Sequence, residues 1–424
     1  MKKRNIIVAA WAALAMLIAT LLALNLSLGD KQIDKRIARL YSVGDKQFAR
    51  TMGVILGPAL EPGNKIEELT NGDRIFPAML DAIRGARKTI TLETYIFWSG
   101  TIGGEFVDAL VERARHGVKV HVLLDWVGDN LDERLLDRME QSGVAVRRYN
   151  TPHWLGLHQL NNRTHRKLMV IDGKIGFTGG VGIADVWRGD ARDPTQWRDM
   201  HYRVEGPVVG QMQAAFIDNW MQATGEVLHG AEYLPPLSPA GSYSAQMFTS
   251  SPGGGSESMQ LMYLLSITGA EHSIRLSASY FLPDDVAINT LVAALKRGVR
   301  VQIIVPGDHL DLQTVRRASR SVWGPLLRAG AEIYEYQPTM YHVKTMIVDD
   351  IWVSVGSTNF DARSFAINDE ANLNVYDAEF ARRQIRVFED DLKQSRRIMP
   401  ADWENRPWSD KLLDFCAAQL SSQL

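Results

Sequence analysis

Cysteine is almost missing from this chain: among 424 residues there is one, Cys416. An intrachain disulfide and any cysteine-based zinc site are therefore excluded, while the redox compartment stays open. Net charge is nearly missing as well. The 47 basic and 49 acidic residues leave a formal charge of −2, which excludes the global basic excess of a nucleic-acid carrier, though not a local basic cleft. A third absence is confined to one stretch. No charged residue occurs between Asn5 and Gly29, and Ile6 to Leu28 is apolar apart from Thr20, Asn25 and Ser27. At about 1.5 Å per residue such a span reaches roughly 34 Å, enough to cross a hydrocarbon core of about 30 Å. The exit, "ALNLSLGDKQ", is a poor small-x-small cleavage site. The expectation is an uncleaved single-pass anchor over residues 6–28. Lys2, Lys3 and Arg4 favour a cytoplasmic start with the body on the far side, a vote opposed by Lys31, Lys35, Arg36 and Arg39 just after the span.

What the chain does have is apolar content of 46% and charged content of 23%, which makes it globular, with material for a sizeable core. After a connector, residues 29–74, it says the same thing twice. "AIRGARKTITLETYIFWSG" (Ala82–Gly100) is echoed by "SITGAEHSIRLSASYFLPD" (Ser266–Asp284), and "FVDALVERARHGVKVHVLLDWVG" by "NTLVAALKRGVRVQIIVPG". Each pair reads as a strand, an amphipathic helix stopped by Gly117 or Gly298, and a second, continuously apolar strand. That order predicts an α/β fold with a parallel or mixed sheet covered by helices, duplicated about a pseudo-two-fold axis. The expected halves are residues 75–232 and 259–398. The Pro-, Gly- and Ser-rich stretch 233–258 reads as the linker between them, and 399–424 as a tail.

Each half carries His-x-Lys-x4-Asp: His165, Lys167 and Asp172, then His342, Lys344 and Asp349. "HRKLMVID" reads as a buried strand entering a tight hairpin at Asp-Gly. Alternation puts His165 and Lys167 on one face, and likewise His342 and Lys344. Two such faces brought together surround one small volume with two imidazoles and two ammonium groups, a set that suits a phosphodiester. One histidine can attack phosphorus and the other protonate the leaving alcohol. Ser357 and Asn359 in "GSTNF" share a face and offer neutral donors to phosphoryl oxygens. Asp199 and Glu370 are candidates to hold the far ring nitrogen of a histidine. Asp172 and Asp349 are candidates for the catalytic set, with a turn role satisfying backbone donors as the competing reading.

These residues resemble the phospholipase D superfamily, and within it bacterial cardiolipin synthases of the phospholipase D type. "ETYIFWSG", "NRTHRKLMVIDGKIGFTGG", "WRDMHYRVEGPVV", "AGAEIYEYQPTMYHVKTMIVD" and "GSTNFDARSFAINDEANL" carry the likeness, from about Ile75 to Asp391. It implies a duplicated phospholipase D-like α/β sandwich, two related halves with mixed sheets flanked by helices. It also implies a two-step exchange in which His165 forms a phosphatidylhistidine, an alcohol departs, and a second alcohol takes the phosphatidyl group with His342 as acid and base. Phosphatidylglycerol is donor and acceptor in that reading, with glycerol released, and phosphatidylethanolamine is the next lipid to consider. No metal or nucleotide cofactor is implied, and the setting is the bacterial inner membrane. There is one departure: Gly182 stands where the family pattern has the Asn that Asn359 supplies in the second copy.

Other histidines, His116, His121, His229, His272 and His309, take the default of surface or core residues. Trp154, Leu155 and Leu157, between His153 and His158, form a candidate membrane-touching loop. Arg316, Arg317 and Arg320 read as a solvated helix face, with attraction to lipid headgroups as the alternative. Tyr95 and Tyr280 sit at corresponding strand ends, where packing and substrate contact are both open. No His-Glu-x-x-His or cysteine pair supports a metal site. Three functions compete: a phosphatidyltransferase, a hydrolase of the same superfamily acting on lipid or nucleic acid, and a non-enzymatic membrane protein. Two complete His-Lys pairs oppose the last, and the near-neutral charge opposes a nuclease.

Overall fold

The computed structural model describes residues 7–8, 11–20, 33, 35–151, 161–252 and 256–419. The candidate loop with His153, Trp154, Leu155, Leu157 and His158 lies outside the described residues, as does much of the expected anchor. Residues 7–8 and 11–20 are helical, and no helix among the described residues is long and apolar enough to cross a membrane.

Among the described residues, seven strands longer than two residues form in the first half: β1 (Glu61–Thr70), β2 (Thr89–Thr94), β3 (Lys119–Asp125), β4 (Ala145–Tyr149), β5 (Leu168–Ile171), β6 (Ile175–Gly179) and β7 (Met200–Glu205). The second half repeats them as β8 (Tyr243–Ser250), β9 (Ser273–Ala278), β10 (Arg300–Pro306), β11 (Glu332–Tyr336), β12 (Lys344–Val348), β13 (Trp352–Gly356) and β14 (Asn368–Tyr376), then adds β15 (Ser395–Ile398). All belong to one 16-stranded sheet among the described residues, joined where β1 pairs with β8. Outward from that seam the order is β7-β6-β5-β2-β3-β4 on one side and β14-β13-β12-β9-β10-β11 on the other. The two arms are the same path run twice.

Local sequence explains each arm. β2, β3 and β4 are parallel, as are β9, β10 and β11, and parallel strands need crossover helices that bury both sheet faces. "KVHVLLD" and "RVQIIVP" are accordingly buried after their first residue. The crossover helices Thr101–Arg115 and Asp285–Lys296 are followed by Gly117 and Gly298 at φ +84° and +92°, left-handed positions where a side chain is disfavoured. Positive φ also marks the hairpin turns, at Asp172 and Gly173 and at Asp349 and Asp350, the backbone that matches the twist of paired strands.

One hydrophobic cluster belongs to both halves. Ile66, Leu168, Val170 and Val204 of the first pack with Ile347, Val353 and Leu373 of the second. At its margin Arg198 donates to both Asp391 carboxylate oxygens, at 2.8 and 3.0 Å, and both side chains are buried. The hydroxyl of Tyr341 donates to the same carboxylate at 3.1 Å.

Two sequence expectations are corrected here. The stretch 233–258 is not only a linker, because it contains β8, which lies between β14 and β1 in the sheet. Its Ser, Thr and Gln residues hid an alternation of Tyr243, Ala245 and Met247, all buried. The connector 29–74 likewise contains β1, whose Glu-Pro-Gly opening and charged residues masked the buried Ile66 and Leu69.

Removing one member of a buried ion pair leaves the other charge uncompensated, at a cost of about 3–5 kcal/mol. Asp391→Ala is therefore expected to lower the unfolding free energy by about that much. Urea unfolding followed by circular dichroism checks it, and a change under about 1 kcal/mol would place the halves' cohesion elsewhere.

Candidate active site

The sheet delivers His165 just before β5 and His342 just before β12. Each backbone is pinned to the other half: the His165 amide donates to the Asp369 carbonyl, and the His342 amide to the Arg198 carbonyl, both at 2.8 Å. Those two carbonyls belong to the residues immediately before Glu370 and Asp199. Each carboxylate is thereby brought from one half to the histidine of the other. His165 Nδ1 lies 2.9 and 3.0 Å from the Glu370 oxygens, and His342 Nδ1 lies 2.7 Å from Asp199. Each half thus orients the other half's imidazole. A carboxylate on Nδ1 fixes the proton there and leaves Nε2 with its lone pair. The two rings are only 11% and 10% exposed, enough for an opening and too little for free hydration.

The two lysines lie close enough for their charges to interact. Lys167 Nζ donates to the His165 carbonyl at 2.8 Å and lies 5.6 Å from the Tyr95 ring centroid. Lys344 Nζ donates to the His342 carbonyl at 2.8 Å and to Ser279 Oγ at 2.6 Å. Alternation sends the intervening Arg166 the other way, to the Ala215 carbonyl at 2.8 Å. Burial pushes the His165 ring down to about 4 against the upward pull of Glu370. Burial, reinforced by Lys344 and opposed by Asp199, takes His342 down to about 3. Burial also lowers Lys167 to about 7 and Lys344 to about 8. Glu370 and Asp199 stay below the ordinary carboxylate range, because the facing imidazoles and lysines outweigh burial, which would raise them. Charges of one half act on the other throughout: Lys344 on Lys167, and Lys167 on His342.

The remaining expected residues divide. Ser357 does not offer a free hydroxyl to substrate: its Oγ donates to Glu370 and accepts the Ala371 amide. Asp199 and Glu370 hold the histidines. Asn359 is buried and its Oδ1 has no hydrogen-bond partner among the described residues, so it can still serve a ligand. Asp172 and Asp349 do not join the ring of catalytic groups. The Asp172 carboxylate accepts the amides of Arg87, Lys88 and Thr89, and that of Asp349 the amides of Glu271, His272 and Ser273. A carboxylate saturated by three backbone donors ties the hairpin to the strand beside it. Of the two tyrosines, Tyr95 lies 5.3 Å from the His165 ring, while Tyr280 donates its hydroxyl to Asp311.

Sequence reasoning missed Trp187 and Trp197, whose rings lie 5.4 and 5.3 Å from that of His342. Trp187 explains an asymmetry between the copies. Where Ser357 supports Glu370, the matching position is Gly180, and a Cβ there would stand 2.2 Å from an Asp199 oxygen. The supporting donor is instead Trp187 Nε1, 3.0 Å from Asp199 Oδ2. At Gly182 a Cβ would meet Ile96 Cβ at 2.9 Å and Trp187 at 3.2 Å, so the space of the family Asn is already taken. The spacing Trp-x9-Trp-x-Asp was the available signal.

Paired imidazoles backed by carboxylates, with an ammonium beside each, suit nucleophilic exchange at a phosphoryl centre, and on a duplicated α/β sheet they define a phospholipase D-like protein. The family model described as "Cardiolipin synthase, PLD-like domain" matches residues 79–185 and 263–392, and the chain belongs to that family. It is similar to a cardiolipin synthase 2 of Bacillus anthracis, 35% identical over 78% of this chain and 65% of that protein. A probable cardiolipin synthase of Bacillus subtilis is 36% identical over 85% of this chain and 72% of that one. The chain thus spans about two thirds of the curated relatives' length. In fold it is similar to the crystal structure of a phosphatidylserine synthase of Haemophilus influenzae, with a TM-score of 0.67 and 14% identity over 88% of this chain and 98% of that one.

A bound oxyanion favours protonated lysines, so it raises their pKa. With free-site values of about 7 for Lys167 and about 8 for Lys344, anion binding at pH 8 must take up protons and weaken as pH rises further. Calorimetric titration with sulfate, which does not itself titrate near neutrality, in buffers of different ionisation enthalpy is expected to show net proton uptake at pH 8. Proton release would overturn that electrostatic picture. Gly180→Ser is expected to displace Asp199 and weaken inorganic phosphate binding by lengthening the His342 contact, whereas Gly85→Ser, where a Cβ meets open space, leaves it unchanged.

Proposed function

We propose that this chain is a membrane-anchored phosphatidyltransferase that makes cardiolipin from two molecules of phosphatidylglycerol. The observation that carries the reading is the crossed carboxylate support, which holds Nδ1 of both imidazoles in the same way beside two buried lysines; the family and the names of the relatives agree with it.

His165 Nε2 attacks phosphorus, and the bond to the glycerol oxygen breaks as that oxygen takes a proton from His342. The product is a phosphatidylhistidine and free glycerol. A second phosphatidylglycerol then brings its terminal hydroxyl, His342 takes the hydroxyl proton, the oxygen attacks phosphorus, and His165 leaves unchanged. Lys167 and Lys344 neutralise the phosphoryl oxygens, where charge grows on the way to the transition state. Asn359 supplies a neutral contact. His342 enters the cycle protonated although the free ring is pushed low, so the anionic substrate must raise it. Water in place of the second alcohol would give phosphatidic acid, which makes exclusion of water the determinant of transfer over hydrolysis.

The reading includes a division of the body into halves over residues 75–232 and 259–398, extended by β1 and β8. It also includes a single-pass anchor over residues 6–28 in a bacterial inner membrane, with the body on the periplasmic side. Support for the anchor is the uncharged run, within which Trp11, Met16 and Leu17 are more than half exposed on a helical stretch.

Purified protein given phosphatidylglycerol in detergent is expected to yield cardiolipin and glycerol in equal amounts. Phosphatidic acid as the main product would assign a hydrolase. His165→Ala is expected to abolish turnover, and Glu370→Gln to reduce kcat by about 10²–10⁴-fold through loss of the oriented tautomer. Substantial turnover by His165→Ala would remove its role as nucleophile.

A further inference from the structure

The helix Trp408–Ala418 is built inside out. Its inward face carries carboxylates: Asp410 and Asp414 lie 3.6 and 3.7 Å from Arg317, and Asp414 lies 3.3 Å from Arg406. Ala417 on the same face packs with Ala318. The outward face is apolar. Trp408, Leu412 and Phe415, spaced i, i+4, i+7 on one stripe, are 77%, 52% and 61% exposed. A helix resting on a soluble body normally hides such a stripe, and an exposed one marks a surface that meets something apolar.

Beside this helix lies a cavity of about 160 Å³ in which five arginines outnumber two carboxylates, Glu335 and Asp402. Arg316 and Arg396 are spent on Glu335, at 2.7 and 2.6 Å. Arg406 stacks over Trp403 at 4.3 Å. Arg320 and Arg397 form no ion pair among the described residues; the carboxylates they act on at longer range, Asp414 and Glu332, are already held by other arginines. Planar guanidinium groups not committed to a hydrogen-bonded ion pair recognise phosphate.

We propose that this face is a docking surface for a membrane rich in anionic phospholipid, separate from the catalytic cavity. Trp408, Leu412 and Phe415 enter the boundary between headgroups and acyl chains, and the arginine cavity takes a headgroup phosphate. Charge complementarity decides against a second copy of the chain, since a self-complementary contact centred here would set one arginine-rich cavity against another. The docked helix is linked to the reaction site by a neighbouring helix. In the helix Gln313–Ser321, Ala318 contacts the docking helix while Val315 packs with Met340 and against Trp197, whose ring flanks His342. Docking would therefore set the height of the catalytic cavity above the bilayer. The proposal does not depend on which reaction the cavity performs.

The chain's one cysteine, Cys416, is exposed on this helix and takes an environment-sensitive fluorophore without further engineering. The full chain so labelled is placed in lipid nanodiscs of phosphatidylcholine alone or mixed with phosphatidylglycerol, each with a shallow lipid-borne nitroxide. In mixed discs the emission is expected to shift to the blue and be quenched at least twofold. Quenching should fall to less than half of that in pure phosphatidylcholine, and in mixed discs carrying Arg320→Glu/Arg397→Glu. The variant Trp408→Ser/Leu412→Ser/Phe415→Ser alters only exposed side chains, keeps its circular dichroism, and is expected to lose quenching in both discs. Equal quenching in both disc types, no quenching in either, or protection that grows with protein concentration in detergent would each overturn the proposal, the last in favour of self-association.

Discussion

Two hydrogen bonds cross between the halves in opposite directions: His165 Nδ1 donates to Glu370, and His342 Nδ1 donates to Asp199. Everything chemical in the molecule depends on them. A buried imidazole without a partner on Nδ1 would be free to choose either tautomer and to rotate, and neither Nε2 would be aimed. Because the carboxylate comes from the other half, the catalytic geometry exists only when the halves are packed. The shared cluster of Ile66, Val170 and Val204 with Ile347, Val353 and Leu373, and the seam between β1 and β8, therefore serve function as well as stability.

The electrostatics follow from that same burial. Lysines pushed down towards 7 and 8 are cations held at a disadvantage until an anion arrives, so part of the attraction for a phosphodiester is relief of an existing penalty. Histidines pushed down to about 4 and 3 leave the free site with unprotonated nucleophiles at neutral pH. In the free site His165 already holds the lone pair that attacks, whereas His342 takes up the proton for the leaving alcohol only once negative charge is present.

Much of this was legible in the sequence, and the illegible parts have physical reasons. Period-two alternation forces His165 beside Lys167 whatever the rest of the chain does, so the paired strands could be read directly. The crossing could not: Asp199 and Glu370 each follow a histidine of their own half, and nothing along the chain reports which ring a carboxylate will face. β1 and β8 were hidden because strands at a seam between two half-sheets take polar residues that resemble loop composition, as in "EPGNKIEELT" and "YSAQMFTS". Ser357 was assigned to the phosphate on its position beside Asn359, yet its hydroxyl is claimed by Glu370. Trp187 drew no notice because its spacing to Trp197 and Asp199 has no counterpart in the second repeat, although it performs in one copy what Ser357 performs in the other.

That substitution of one donor for another has a historical consequence. Once Asp199 came to rest on an indole, the hydroxymethyl side chain that serves the sister repeat became an obstacle at Gly180. Any event that homogenised the two repeats, copying the second over the first, would now drive a serine into a carboxylate. The duplicated segments have ceased to be spare copies of each other, and divergence between them is locked in by a single atom's worth of room.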